Sequence, residues 1–361
     1  MFKSWRLGFL LIPTLFFMGA GCVQIGGSTA TGPMGVFRSD DKGEAWKPAM
    51  TFPTAQGVKS IAGIKVYRVF NDPSDPNSLY LATRGQGLFY TYNNGTTWQY
   101  AEGLGQKFIY GLAVDPHDKC TIYVTDAQHL YRTTDCSRSW QIVYSEERPQ
   151  ERLVGVAIDY CDSHVVYAAL VGGDIIASGD SGTSWRIVKR FGLQVQQITT
   201  DPFVPNRLYV GTYQNGLFRS DTAGTSWQDL SAGLNNFSGS GAFYRLVLHP
   251  SRKDSLFWVS KYGILRSDDA GLTWTDLKLI TPPGSVNVYA FAVSPGNEKE
   301  LYYTGTILGE NQAHVRSTFY KSVDGGKSWV TKKLPTNTIP VGIYVHPTMP
   351  GTLLMAFTLI N

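Results

Sequence analysis

Two groups of side chains in this chain of 361 residues have the types and spacing to do chemistry. The first consists of guanidiniums and phenols. When the apolar segments that end near Asp-Pro are aligned on those ends, Arg68 and Arg245 share one register. Other copies carry Gly111, Gly155, Gln197, Ala290 and Gly342 there, and one position earlier Tyr67, Tyr110, Tyr244 and Tyr289 recur. Arg and Tyr together can anchor a carboxylate, a sugar or a protein loop, because a guanidinium fork matches oxyanions and a phenol offers both a face and a hydroxyl. Arg84 follows the next segment, and Glu310, His314 and Arg316 lie in an insertion at 306–318 without assigned chemistry. A plainer reading packs the tyrosines between sheets and lets the arginine stems snorkel. The second group consists of thiols and imidazoles. His117-x-x-Cys120 and Cys161-x-x-His164, with Cys136 between, form one possible zinc ligand set. The competing expectation is a Cys120–Cys136 disulfide, for which closing a loop of ~15 residues is worth about 3 kcal/mol in the chain-entropy picture.

These residues must be held by elements, and the elements announce themselves as a repeat. The pattern Ser/Thr-x-Asp-x-Gly-x-Ser/Thr-Trp is complete at 178–185, 267–274 and 322–329. Four copies, at 39–46, 91–98, 133–140 and 220–227, each miss one position: Ala45, Asn93, Ser137 and Thr222 are the substitutes. Each piece is mechanical: a short acidic side chain bonding its own turn, a glycine at positive φ, and a Trp that buries a large area. A short apolar run precedes each turn. Upstream lie a strand ending near Asp-Pro and one containing Leu-Tyr or a relative, so a unit of about 45 residues holds four strands, as in propeller blades. The first copy lacks its first two strands, and the chain finishes with two strands, 341–347 and 352–357, and no turn. The halves make one blade, which predicts an all-β ring of seven blades over 35–361, with the closing blade shared between the chain ends.

Residues 1–22 read as an export signal: Lys3 and Arg6, an apolar stretch from Leu7 to Met18, then Gly19-Ala20-Gly21-Cys22. The ending resembles the lipobox of bacterial lipoproteins, with Gly19 in place of the usual Leu, which implies lipid on Cys22. Residues 23–34 are polar and Gly-rich and read as a flexible tether. The implied address is outside the cytoplasm, anchored to a bacterial membrane. Without Lys3 and Arg6 the charge balance is 30 − 28 = +2, with no basic cluster, which argues against a nucleic-acid partner.

The turn resembles the Asp-box, or bacterial neuraminidase repeat. The resemblance covers 35–361 and points to the group of sialidases, xyloglucan hydrolases, sortilin-type receptors and photosystem II assembly-factor lipoproteins. It implies that the Asp-box residues are structural. A sialidase would need an Arg-Ile-Pro motif, and the nearest segment is Tyr67-Arg68-Val69-Phe70. Xyloglucan hydrolases are similar in their first blade to 70–83, but their catalytic acid falls where this chain has Arg84, which cannot donate a proton at neutral pH. Gly179-Asp180-Ser181-Gly182 and Gly325-Gly326-Lys327-Ser328 echo a protease nucleophile loop and a P-loop, yet both are Asp-box turns. No cofactor motif stands. The expectation is therefore a non-enzymatic, lipid-anchored propeller that docks a protein partner as a scaffold or assembly factor. The alternative is a carbohydrate-binding or glycoside-hydrolase-like protein using the Tyr/Arg mouth.

Overall fold

The computed structural model describes residues 31–359. The export signal with Cys22, and residues 23–30 of the tether, lie outside the described residues. Residues 31–34, expected at the end of that tether, pair with the ring instead. Thr31 bridges Asn337, the Thr336 and Thr338 hydroxyls donate to the Pro33 carbonyl, and the Met34 N–H donates to Ala62 O at 2.9 Å.

Seven four-stranded antiparallel sheets follow one another around the chain, with one extra hairpin beside them. The innermost strands are Val66–Asn71, Gly111–Val114, Leu153–Ile158, Val195–Thr200, Phe243–Leu248, Asn287–Ser294 and Ile339–Val345. Second strands such as Leu79–Thr83, Val166–Leu170 and Leu208–Thr212 are buried at every position. Both of their faces meet neighbouring blades, which is why they read as unbroken apolar runs. Most fourth strands shrink to pieces such as Gln99–Tyr100 at the wet rim, Gln141–Ser145 and Arg186–Arg190 being the longer ones. Ring closure follows the expected composite: Gly35–Ser39 pairs with Leu353–Thr358, from Gly35 opposite Phe357 to Ser39 opposite Leu353. An otherwise exposed edge is thereby covered.

Each Asp-box is a small hydrogen-bonded knot on the underside. In the copy at 178–185, the Asp180 carboxylate accepts from the Ser178 hydroxyl, the Ser184 N–H and the Ser184 hydroxyl. Ser178 Oγ in turn accepts the Gly182 N–H at 2.8 Å. Bonds from Ser184 and Ser178 push the Asp180 carboxyl down to about 2. Thr222 Oγ1 takes the same place in its copy, accepting the Ser226 N–H at 2.9 Å. Two of the Trp residues reach back to the preceding blade, while Trp227 donates to Gly224 O of its own turn at 2.9 Å. Trp98, fully buried, donates to Ala49 O at 2.8 Å, and Trp185 donates to Val143 O, both on the preceding blade. They are bolts between blades.

In six of the seven sheets the first strand carries an irregularity just before the residue that faces the channel, as between Val66 and Arg68 or Phe243 and Arg245. A bulge re-aims the chain, so the residue in the extra position leaves the inner sheet face. Glycine at the next position is a packing requirement: a Cβ on Gly342 would lie 2.6 Å from Val69 of the adjacent blade.

Candidate functional site

The mouth of the ring is built from the loops joining second to third strands and from the blade-to-blade connections. Tyr67 and Tyr110, from the first and second blades, meet there through Phe108. Tyr67 packs edge-on to Phe108 at 4.9 Å and Phe108 stacks on Tyr110 at 4.2 Å. Guanidiniums cover this shelf: Arg68 and Arg84 each lie 5.2 Å from the Tyr67 centroid, and Arg152 lies 5.8 Å from that of Tyr110. The rings are half-buried, and Arg84 and Arg152 are exposed. Such a shelf offers flat apolar faces ringed by hydrogen-bond donors.

The chain turns from Phe108 to Lys107, and that lysine holds a carboxylate. Lys107 Nζ donates to Asp126 at 2.8 Å and also bonds Tyr131, whose hydroxyl donates to Asp126 at 2.8 Å. The other carboxylate oxygen accepts the His129 N–H at 2.9 Å. Burial pushes the Asp126 carboxyl upward, but the bonds from Lys107, His129 and Tyr131 outweigh it and leave the group below the usual carboxylate range. It is an ionised, oriented carboxylate beside the shelf, suited to accept a proton rather than to donate one. Neither Asp126 nor Phe108, Lys107 or Arg152 stood out in the sequence, because none sits at a repeated position. The one available signal was an Asp in the second blade's loop at the height of Arg84.

On the far side of the mouth, Tyr244 and Tyr289 pair at 5.6 Å, and the Tyr244 hydroxyl donates to the Asn287 side chain at 2.8 Å. Burial raises the Tyr289 phenol, and the charge of Arg84 pulls it the other way. The four recurrent tyrosines are thus two clusters, each spanning two blades, rather than one ring. A long insertion at 47–64 after the first Asp-box, and the one at 306–318, both contain hairpins. Thr51–Thr54 pairs with Gly57–Ser60, and in the sixth blade Asn297–Leu308 and His314–Ser322 extend well past their neighbours. Glu310 and Arg316 are exposed on the second hairpin. His314 is buried beside the hairpin's turn, opposite Leu308, with Nε2 3.0 Å from Ser317 Oγ, and burial lowers its pKa.

Below the shelf the ring encloses a channel cavity of about 330 Å³. Arg68 and Arg245 both enter it, as do Gln197 and Tyr160. Gln197 is engaged twice with the Leu246 backbone, at 3.0 Å each way. Arg245 reaches the Val341 carbonyl at 3.2 Å. Burial, and then the like charge of Arg68, push Arg245 down to about 10.

The zinc arrangement is not formed. Cys120 and Cys136 are joined in a disulfide across the hairpin of the second blade, which removes two of its three thiols. Among the described residues no group of three or more His, Cys, Asp or Glu is placed to hold a metal. His117 Nδ1 lies 3.2 Å from Ser163 Oγ, His164 Nδ1 lies 2.9 Å from Asp162, and Cys161 is exposed with a free thiol. Among the same residues no helix is long and apolar enough to cross a membrane.

With this geometry in place, comparison with known proteins gives a class. No family model matches the chain. A xyloglucanase from a Paenibacillus species is 26% identical over 236 residues, covering 53% of this chain and 23% of that protein. An oligoxyloglucan-reducing end-specific xyloglucanase from Emericella nidulans is 24% identical over 263 residues, covering 58% of this chain and 32% of that protein. The chain therefore spans about a third or less of the curated relatives it matches. Among solved structures, the GH74 xyloglucanase from Xanthomonas campestris superposes with a TM-score of 0.63 at 17% identity, over 89% of this chain and 52% of that one. YCF48 bound to D1 peptide superposes at 0.58 and 15% identity, over 82% of this chain and 94% of that one. The chain is a seven-bladed β-propeller with neighbours among GH74 xyloglucanases and YCF48. The curated relatives also correct the sequence-based expectation of a non-enzymatic scaffold or assembly factor. That expectation rested on the lone propeller, the tether and the missing catalytic set, Arg84 in place of an acid included, whereas both relatives are named as xyloglucanases.

Proposed function

We propose that the chain is a glycoside-hydrolase-like propeller that takes a glucan of the xyloglucan kind across its mouth. The observation that carries this reading is the Tyr67–Phe108–Tyr110 shelf with the ionised Asp126 beside it, in a propeller whose curated relatives are xyloglucanases. Sugar rings present flat C–H faces to aromatic side chains, while Arg84 and Arg152 are free to bond hydroxyls at the edge of the shelf. Asp126 is placed to take the proton of an attacking water, one of the two carboxylate roles that glycosidases use.

Affinity electrophoresis through xyloglucan, paired with an assay for new reducing ends, tests the reading. Xyloglucan is expected to retard the protein and release ends, an α-glucan to do neither, and Asp126→Asn to keep retardation while losing release. Absence of both effects with the intact protein overturns it. The export signal read in residues 1–22 belongs to the same proposal, since such a polymer is met outside the cytoplasm. Cys22→Ser is expected to move the protein from the membrane to the soluble fraction.

A further inference from the structure

We propose that the central channel is a carboxylate-binding site for an acidic sugar, with Arg68 and Arg245 as its two receptors. It rests on the polysaccharide reading for the sugar alone; the anion site stands on the channel. Several arginines elsewhere in the ring find carboxylates: Arg148 pairs with Glu146 at 2.8 Å, Arg207 with Asp221 at 2.5 Å, and Arg266 with Asp268 at 3.0 Å. The channel pair does not. Among the described residues Arg245 bonds one backbone carbonyl and Arg68 lies over the Tyr67 ring, and neither meets an acid.

Two guanidiniums thus converge from the first and fifth blades on one half-enclosed cavity. Their mutual repulsion and desolvation oppose folding, and the Arg245 pKa, pushed down by burial and by Arg68, reports the same conflict. An anion between them resolves it. A carboxylate suits the pair because each guanidinium offers two parallel N–H donors to its two oxygens. A cavity of about 330 Å³ has room for one sugar ring. The third polar side chain of the tier, Gln197, is already engaged with Leu246, so recognition of charge falls on the arginines.

The test is titration of the full chain with glucuronate, glucose and inorganic phosphate at matched ionic strength, read by thermal shift and calorimetry. Glucuronate is expected to bind saturably and raise Tm, and glucose to have no effect. Arg68→Gln and Arg245→Gln are each expected to weaken glucuronate by about tenfold or more. Both variants should retain or exceed the unliganded Tm, since each removes one of two like charges; this shows that they are folded. No saturable glucuronate binding, an equal response to glucose, or unaltered binding in both folded variants overturns the site. Phosphate binding as tight as glucuronate overturns the sugar-acid assignment. A polysaccharide with pendant uronic acids, run beside neutral xyloglucan, separates a polymer side group from a free sugar acid. Glucuronate binding without retardation by xyloglucan breaks the polysaccharide reading alone.

Discussion

The underside and the mouth of this ring are made by the same seven blades under opposite rules. Underneath, every Asp-box repeats one knot of bonds. Where Asp is replaced, the substitute does the same work, as Asn93 and Thr222 do. At the mouth the blades share far less: Tyr recurs in four of them and Arg68 matches Arg245, but the first alone brings Arg84, the second Phe108 and Asp126, and the sixth a long hairpin. Repetition marks the residues that hold the ring together, and its breakdown marks those that can meet a ligand.

The largest effect is expected from a bolt on the mechanical side. Trp98→Ala should cost about 3–5 kcal/mol, seen in denaturant or thermal unfolding, since it empties a fully buried site and strands the Ala49 carbonyl. Xyloglucan affinity of the protein that remains folded should not change; a loss there would break the division of labour. At the mouth the signs reverse. Phe108→Ala should weaken retardation by xyloglucan about tenfold, or roughly 1.4 kcal/mol, with a smaller change in Tm.

A subtler test uses the ends of the inner strands, also underneath. Asp72, Asp115, Asp159 and Asp201 each accept the N–H two residues on, from Ser74, His117, Cys161 and Phe203. His249 and His346 do the same with Nδ1, from Ser251 and Thr348, which requires neutral imidazoles. Burial lowers both histidines below their ordinary 6.5, so the folded state prefers the uncharged form. Their contribution is therefore complete above that value and declines as pH falls from about 6.5 through the folded-state pKa, each lost bond being worth on the order of 1 kcal/mol. Thermal unfolding from pH 7.5 to 5 should show the decline, and the double variant His249→Asp with His346→Asp should reduce it, leaving the part due to buried His314. The smallest effect is a repair: Thr222→Asp completes the fifth turn and should add roughly 0.5 kcal/mol, with affinity for xyloglucan unchanged.

The same contrast explains what could be read in advance. The seven repeated Trp positions and the split blade were legible because each copy carries the same local hydrogen bonds, and local bonds leave a local pattern. Arg68, Arg245 and the four tyrosines were legible as a register, since strand alignment survives without coordinates. Their grouping was not: Tyr67 meets Tyr110 through Phe108, and Tyr244 meets Tyr289, because blades are rotated about a centre that a linear alignment lacks. Asp126 escaped for a further reason. It is placed by Lys107 from the preceding connection and by Tyr131 from the following strand, neither of which repeats.

The pairing of Gly35–Ser39 with Leu353–Thr358 also sets the order in which the molecule is made. The third strand of the closing sheet leaves the ribosome before the six other blades, and its partner only after them. Contacts so distant along the chain are slow to form, and until they do a growing arc of blades carries two open edges. That partner strand is therefore a latch. Loss of a few residues from it should free Gly35–Ser39 as well and open the ring from both ends, whereas a nick at the tip of the 306–318 hairpin leaves the circle closed.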